Sequence, residues 1–255
     1  MDKKIIDIKI ISNNLYMEEL DDDAYFMVSA KITNEELRNI APYHTSLELN
    51  YCEKITDDGL KYLGGLNSLK LLMCRNITDE GIKYLRNLQT LFIHNCDNIT
   101  DEGIKHLGNL NTLHLHVNKG MTEEGIKHLG NIHTLNLYGD VTDEGVKHLN
   151  NVHTLTLNSN CITDEGIKYL GNCHTLDIRG CKGRSGGFLH EKTSGHRFIT
   201  NEGISHLGNV NTLYLIADEN NGITREGIRL HLVNVNTLEV VQDDTQIIDN
   251  RGKWW

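Results

Sequence analysis

Two groups of residues have types and spacings that could do chemistry. Cys173 is followed directly by His174, and a thiol next to an imidazole can act as an activated nucleophile. His94, His114 and His116 could together supply three nitrogen ligands to zinc, the number that catalytic zinc sites use. Either interpretation depends on the elements that carry these side chains, because only the fold decides which of them meet.

Two other patterns do not match a catalytic motif. In the segment HEKTSGH, four residues rather than two separate Glu191 from His196, so it is not the zinc-protease helix motif. One glycine recurs in each repeat without the Gly-Lys-Ser/Thr of a phosphate-binding loop, which predicts close packing of neighbouring helices instead. These glycines are Gly59, Gly81, Gly103, Gly125, Gly145, Gly166, Gly203 and Gly227.

The phrase ITDEGIKYLGN returns with small changes along most of the chain. Successive copies lie 20 to 24 residues apart, except for one spacing of 37, and such a period indicates stacked structural repeats. The copies begin at Ile55, Ile77, Ile99, Met121, Val141, Ile162, Ile199 and Ile223, with a divergent earlier copy at Ile32.

Each copy predicts one strand followed by one short helix. Leu91 and Ile93 are inward positions of an alternating strand pattern. Thr100 then precedes Asp101 and Glu102, which places a capping hydroxyl and two carboxylates at the positive end of a helix. A unit of this size cannot bury its own apolar side, so the units must stack to complete the core.

The cysteines fall on positions that the repeat predicts to be buried. Cys173 takes the place that Leu88, Leu110, Ile132 and Val152 fill in other units, which favours a core residue over a nucleophile. A small sulfur side chain also fits the buried turn before the helix, where the chain has Cys52, Cys74, Cys96 and Cys181. Free thiols are typical of a reducing compartment, so we expect a cytoplasmic protein, with the nucleus as an open alternative.

The order Leu-x-x-Leu-x-Leu-x-x-Cys-x-x-Ile-Thr-Asp-x-Gly-Ile/Leu resembles the cysteine-containing subclass of leucine-rich repeats. That subclass is familiar from F-box substrate adaptors, and similar repeats occur in bacterial and giant-virus proteins. The resemblance covers about residues 32–248. It implies an α/β fold, a curved leucine-rich-repeat solenoid with a parallel sheet on the concave side and short helices on the convex side. It also implies a role in protein recognition.

The repeats divide the chain into three parts. Residues 1–31 are too few for an F-box, and we expect them to form an N-terminal cap with a strand at Ile6, Ile8 and Ile10 and an acidic turn. Residues 32–248 form about nine repeats, and 249–255 a C-terminal tail. The spacing of 37 places an inserted basic loop at 182–197, which either grips an acidic partner or has no regular structure.

Composition excludes several classes of function. The chain has 25 Lys and Arg against 35 Asp and Glu, a net charge of −10, so we expect no nucleic-acid partner. We find no secretory signal and no transmembrane stretch, and hence expect no membrane contact. We also expect a monomer without a cofactor.

Comparison of the repeats with one another separates constant from variable outward positions. A first column of hydroxyls is nearly constant, as a ladder that stabilises neighbouring strands would be: Ser46, Ser68, Thr90, Thr112, Thr134, Thr154, Thr175, Thr212 and Thr237. The residue types in the second and third columns differ from repeat to repeat. Either these side chains recognise a specific partner, or their identities vary neutrally on a solvated surface. From them we predict a partner-binding surface of Phe92, His94, His114, His116, Tyr138, Asn136, Asn158, Asp177, Arg179 and Tyr214.

The leading functional hypothesis is a non-enzymatic scaffold that binds a protein partner on its concave face. A substrate-receptor subunit of a ubiquitin ligase is the second hypothesis, and a zinc-dependent hydrolase built on surface histidines is the third. Because histidine titrates near neutrality, partner affinity is expected to change between about pH 7.5 and pH 5.5.

Overall fold

The computed structural model describes residues 26–28, 30–181, 199–217, 222–242 and 245–249. Three sequence predictions fall outside these residues: the cap strand at Ile6 to Ile10 with its acidic turn, the inserted loop 182–197, and the tail beyond residue 249. The division into cap, repeats and tail therefore stays a prediction.

The strands form one sheet in which each strand neighbours the next along the chain. The first ten are parallel and the eleventh returns antiparallel to the tenth. Their bounds are β1 Phe26–Val28, β2 Ser46–Asn50, β3 Ser68–Leu72, β4 Thr90–His94, β5 Thr112–His116, β6 Thr134–Tyr138, β7 Thr154–Asn158, β8 Thr175–Asp177, β9 Thr212–Ile216, β10 Thr237–Gln242 and β11 Thr245–Asp249. The repeat predicted β2 to β10, and missed β1 and β11 because neither follows the repeated phrase.

Short helices connect the strands. Those of the described residues are α1 Asn34–Ile40, α2 Asp57–Leu60, α3 Asp79–Ile82, α4 Asp101–Ile104, α5 Glu123–Ile126, α6 Asp143–Val146, α7 Asp164–Ile167, α8 Asn201–Ile204 and α9 Arg225–His231. Four 3-10 turns follow α1, α3, α5 and α8, at Ala41–Tyr43, Lys83–Leu85, Lys127–Leu129 and Ser205–Leu207. Each helix starts after a threonine, and in α4 the Thr100 hydroxyl accepts from the Glu102 amide at 3.3 Å, as the capping pattern predicted.

The core lies between the sheet and the helices as a continuous stack of aliphatic layers. Leu113 and Leu115 of β5 are fully buried, and so are Ile104 and Leu107 on the helix side of the preceding unit. The same positions repeat in every unit, so one hydrophobic core runs through the described chain. The solenoid fold predicted from the sequence is thereby confirmed.

Neighbouring helices are joined by a repeated interlock of two hydrogen bonds. Asp101 at the start of α4 accepts hydrogen bonds from the amide and the hydroxyl of Thr122, the cap of α5, both at 2.7 Å. We call this arrangement the Asp–Thr interlock, and asparagine takes the place of aspartate in the terminal pairs. It joins Asn34 to Thr56, Asp57 to Thr78, Asp79 to Thr100, Asp101 to Thr122, Asp143 to Thr163, Asp164 to Thr200 and Asn201 to Thr224.

Among the described helices, the joint between α5 and α6 is the exception. Glu123 stands where the other units have aspartate or asparagine, and the Thr142 side chain makes no capping hydrogen bond. The unit is also shorter, with 20 residues between the phrases at Met121 and Val141. The solenoid is therefore interlocked on either side of this joint and not at it.

The interlock explains why one glycine recurs in each unit. A Cβ added to Gly103 would overlap with Oδ1 of Asp79 and lie 3.3 Å from its backbone Cα, so a side chain would push the interlocked helices apart. At Gly145, beside the exceptional joint, the nearest atom to an added Cβ is Ile126 Cδ1 at 3.4 Å, which is ordinary contact. The predicted close approach of neighbouring helices is thus found at Gly103 and is absent at Gly145.

We predict that Gly103→Ala lowers the free energy of unfolding by about 2 kcal/mol, because the added methyl displaces Asp79 and strains the backbone behind it. Gly145→Ala is the matched control and should not lower the free energy of unfolding, since alanine has a higher helix propensity than glycine and an added Cβ makes only ordinary contact at this position. Urea denaturation measures both values. Equal losses in the two variants would contradict the role assigned to the interlock.

Candidate binding surface

The outward columns predicted from the sequence lie in register across the sheet. In the second column Lys70, Phe92, His114 and Asn136 are successive ladder partners, and the column continues through Thr156 to β10. The buried leucines between them point the other way. We call the side of the sheet that carries these columns the outer sheet face. Its side chains are half-buried or exposed in most units, so they are available for contact.

The second column forms an unbroken chain of contacts over β2 to β6. The rings of Phe92 and His114 are stacked, with centroids 3.9 Å apart and an interplanar angle of 9°. Lys70 places its ammonium 5.3 Å from the Phe92 centroid and 3.7 Å from a carboxylate oxygen of Glu48. On the other side, the Asn136 amide nitrogen lies 2.8 Å from Nδ1 of His114. Each side chain is therefore held by its neighbour before any partner arrives.

The third column adds a shallow concavity beside this chain. The rings of His94 and His116 meet edge to face with centroids 4.8 Å apart, as the predicted strand positions required. Tyr138, paired with His116 in the β5–β6 ladder, is exposed to 36%. A depression of about 270 Å³ is lined by Leu72, Phe92, His94, His114, His116 and Tyr138 together with buried residues of β4 and β5. We call these six residues the imidazole–aromatic patch.

A second cluster surrounds Arg179 on β8 to β10. The sequence placed Arg179 in the third column, but β8 ends at Asp177, so Arg179 lies beyond the strand. Its guanidinium donates to both oxygens of Asp177 at 3.0 and 2.7 Å and to Glu239 at 2.8 Å. It also lies over the Tyr214 ring, 4.7 Å from the centroid. The strand ends early because the Asp177 side chain accepts the Arg179 backbone amide at 3.0 Å.

The ten predicted residues thus fall into two groups and one isolated position. Five of them line the imidazole–aromatic patch, and Asn136 contacts it through His114. Asp177, Arg179 and Tyr214 form the second cluster. Asn158 pairs with Tyr138 in the β6–β7 ladder and is exposed between the two groups.

Sequence analysis missed several members of these clusters. Lys70, Leu72 and Glu239 stand in the variable columns and were not selected, although their contacts tie them to the predicted residues. A separate row of exposed imidazoles, His133, His153 and His174, stacks at 4.4 and 4.5 Å along the edge where the strands begin. The sequence could have revealed this row, because in three successive units a histidine directly precedes the threonine of the first column.

Neither of the two chemical hypotheses gains support from the site geometry. In the part of the chain that the structure describes, no group of three or more His, Cys, Asp or Glu side chains is arranged to hold a metal ion. Cys173 is buried, and burial raises the pKa of its thiol to about 12, so the reactive thiolate is scarce at neutral pH. Burial likewise raises the pKa of Cys181 to about 12.

Burial, with a smaller effect of the Lys70 charge, lowers the pKa of His114 to about 4. The ring accordingly stays neutral on the outer sheet face at neutral pH, and the Asn136 amide, which can only donate, faces an unprotonated Nδ1. Burial and the neighbouring His116 also lower the pKa of His94. Protonation of His114 therefore cannot produce the change in partner affinity that we expected between about pH 7.5 and pH 5.5.

We predict instead that the free energy of unfolding falls as the pH drops from about 6.5 towards 4. Over that interval the imidazole of the unfolded chain binds a proton and the folded His114 does not, so protons favour unfolding. His114→Gln should show a shallower pH dependence in urea denaturation. An NMR titration that gives His114 a pKa near 6.5 would contradict the prediction.

Comparison with known proteins agrees with the repeat. A family model described as leucine-rich repeat matches residues 45–64 and 148–171. Among solved structures, TLR13 in complex with ssRNA13 is similar at 23% identity and a TM-score of 0.50, over 77% of this chain and 32% of that one. Comparison with curated proteins gives no match.

Two further solved structures also match the chain. An internalin from Listeria monocytogenes is 17% identical over 82% of this chain and 63% of its own, with a TM-score of 0.46. The structure of Rad7 and Elc1 in yeast contains a chain 18% identical over 84% of this chain and 68% of its own, with a TM-score of 0.44. The chain thus spans less than two thirds of the internalin and about a third of the TLR13 chain.

The matched repeats and the sheet topology show that the chain has the fold of a leucine-rich-repeat solenoid. The described residues include no helix long and apolar enough to span a lipid bilayer.

Proposed function

We propose that the protein is a non-enzymatic scaffold that binds a protein partner on the outer sheet face, the side expected to be concave. The observation that carries this proposal is the imidazole–aromatic patch on columns whose side chains the fold does not dictate. Phe92 and His114 are stacked, and Lys70 and Asn136 hold the two ends of the stack. Large side chains that are ordered in advance lose little entropy on binding and tend to dominate interfaces.

The shape of the surface favours a macromolecule over a small ligand. The depression of about 270 Å³ lies below the roughly 300–1,000 Å³ typical of small-molecule sites, and it opens onto a long sheet. At the usual strand spacing, the nine repeat strands β2 to β10 extend for about 40 Å. That length is enough for a folded partner or an extended segment.

The remaining assignments rest on the sequence and complete the proposal. The buried cysteine at the turn supports the cysteine-containing subclass of the repeat, with Cys74 placing its sulfur 3.3 Å from the Leu49 carbonyl. The net charge of −10 favours a protein over a nucleic-acid partner. We further propose a cytoplasmic monomer without a cofactor.

Affinity capture tests the proposal. The full chain and a variant with Phe92→Ala and Tyr138→Ala should be used as parallel baits in lysate of the source cells, with mass spectrometry as the readout. We expect at least one protein to be captured by the native bait and lost from the variant. Ligase subunits among such proteins would favour the ubiquitin-receptor alternative, whereas identical capture by both baits would refute binding at the patch.

A further inference from the structure

The outer sheet face has an uneven distribution of carboxylates. The outward positions of β3 to β7 contain neither Asp nor Glu, although the chain as a whole has 35 of them. Among strands β2 to β10, outward carboxylates occur only on β2, β8 and β10, as Glu48, Asp177 and Glu239. The imidazole–aromatic patch therefore lies in a tract without carboxylates.

The three flanking carboxylates are all engaged by cations of the same face. Glu48 faces Lys70 at 3.7 Å, and Arg179 bonds to Asp177 at 2.7 Å and to Glu239 at 2.8 Å. A lysine or arginine of a partner that approached this face would compete with Lys70 or Arg179 for a carboxylate that is already paired. A basic segment is therefore a poor match to the outer sheet face.

Hydrogen-bond donors, by contrast, are concentrated in the tract. Lys70 brings an ammonium, Tyr138 a hydroxyl, and the imidazole rings of His94 and His116 each carry an N–H group. The Lys70 ammonium lies at the edge of the depression. It is 5.3 Å from the centroid of the Phe92 ring, which is part of the lining. An anionic group bound here would thus lie next to an apolar side chain in the depression.

We propose that the partner segment recognised by the imidazole–aromatic patch carries an acidic residue directly beside an aromatic or large aliphatic residue. This inference rests on the proposed function. The apolar side chain occupies the depression against Leu72 and Phe92, and the carboxylate accepts a hydrogen bond from the Lys70 ammonium at the β3 end of the depression. The net charge of −10 opposes acidic segments elsewhere on the molecule, so the tract also provides selectivity.

A displayed library of random linear peptides, selected on the full native chain, tests the inference. Selected peptides should be enriched in an acidic residue beside a large apolar one. Their affinity should fall about tenfold on Lys70→Met, because a charge-assisted hydrogen bond is lost, and should weaken with added salt. Lys105→Met removes the same charge from the helix side, where Lys105 pairs with Glu102, and should leave affinity unchanged.

The outcomes separate the inference from the function on which it rests. Peptides that need Phe92 and Tyr138 but are basic or uncharged would overturn the acidic partner and leave the proposed binding surface in place. A selection in which no peptide loses affinity on Phe92→Ala with Tyr138→Ala would overturn both. Equal losses for Lys70→Met and Lys105→Met would assign the effect to overall charge and overturn the local contact.

Discussion

Leu113→Asp is expected to abolish the cooperative folding of the central repeats. Leu113 is fully buried between Leu91 and Leu135, its ladder partners in β4 and β6. A carboxylate there would lie between aliphatic layers without a hydrogen-bond partner, at a cost of several kcal/mol, which approaches the whole stability of an ordinary domain. Circular dichroism and urea denaturation should show lost signal and no sharp transition.

Asn111→Asp is the matched control, since it adds the same charge two residues earlier on an exposed side chain. It should change the free energy of unfolding by less than about 0.5 kcal/mol. A folded Leu113→Asp protein with native stability would show that the inward and outward positions of β5 are assigned the wrong way round.

The second large effect concerns binding. Phe92→Ala with Tyr138→Ala should weaken affinity for a captured partner by about thirtyfold or more, which corresponds to the 2 kcal/mol that defines an interface hot spot. Phe92 is held by His114 on one side and Lys70 on the other, and Tyr138 lines the opposite wall of the depression. Removing both rings opens the depression and frees its remaining side chains.

Tyr62→Ala with Tyr84→Ala provides the control, because both rings are exposed beyond α2 and α3 on the helix side of the solenoid. This pair should bind normally in a titration by calorimetry. If both double variants retain native affinity, the partner binds elsewhere and the patch is an ordinary solvated surface.

The repeat made most of the fold predictable. Because each unit is compared with eight others in the same chain, inward and outward positions separate without any other sequence, and the register of Thr90, Thr112 and Thr134 follows directly. The edge strands β1 and β11 could not be predicted in this way, since pairing at the end of a sheet depends on the neighbouring strand more than on the segment itself.

Parts of the candidate site depended on interactions that spacing does not reveal. The early end of β8 follows from a local hydrogen bond between Asp177 and the Arg179 amide, which competes with the sheet ladder. The lowered pKa of His114 depends on how far its neighbours bury the ring. Both are consequences of packing in three dimensions, whereas the column positions are consequences of period alone.

The missing Asp–Thr interlock between α5 and α6 bears on how the molecule comes apart. A stack of repeats behaves as a line of nearest-neighbour couplings, and a local melt spreads until it meets the weakest one. On the helix side that coupling is weakest between the unit of β5 and the unit of β6, so we expect heating to divide the stack of helices into two blocks at that point. His116 and Tyr138 stand on opposite sides of this boundary. A partner that binds both residues would link the two blocks. Its binding would raise the temperature at which the stack of repeats divides.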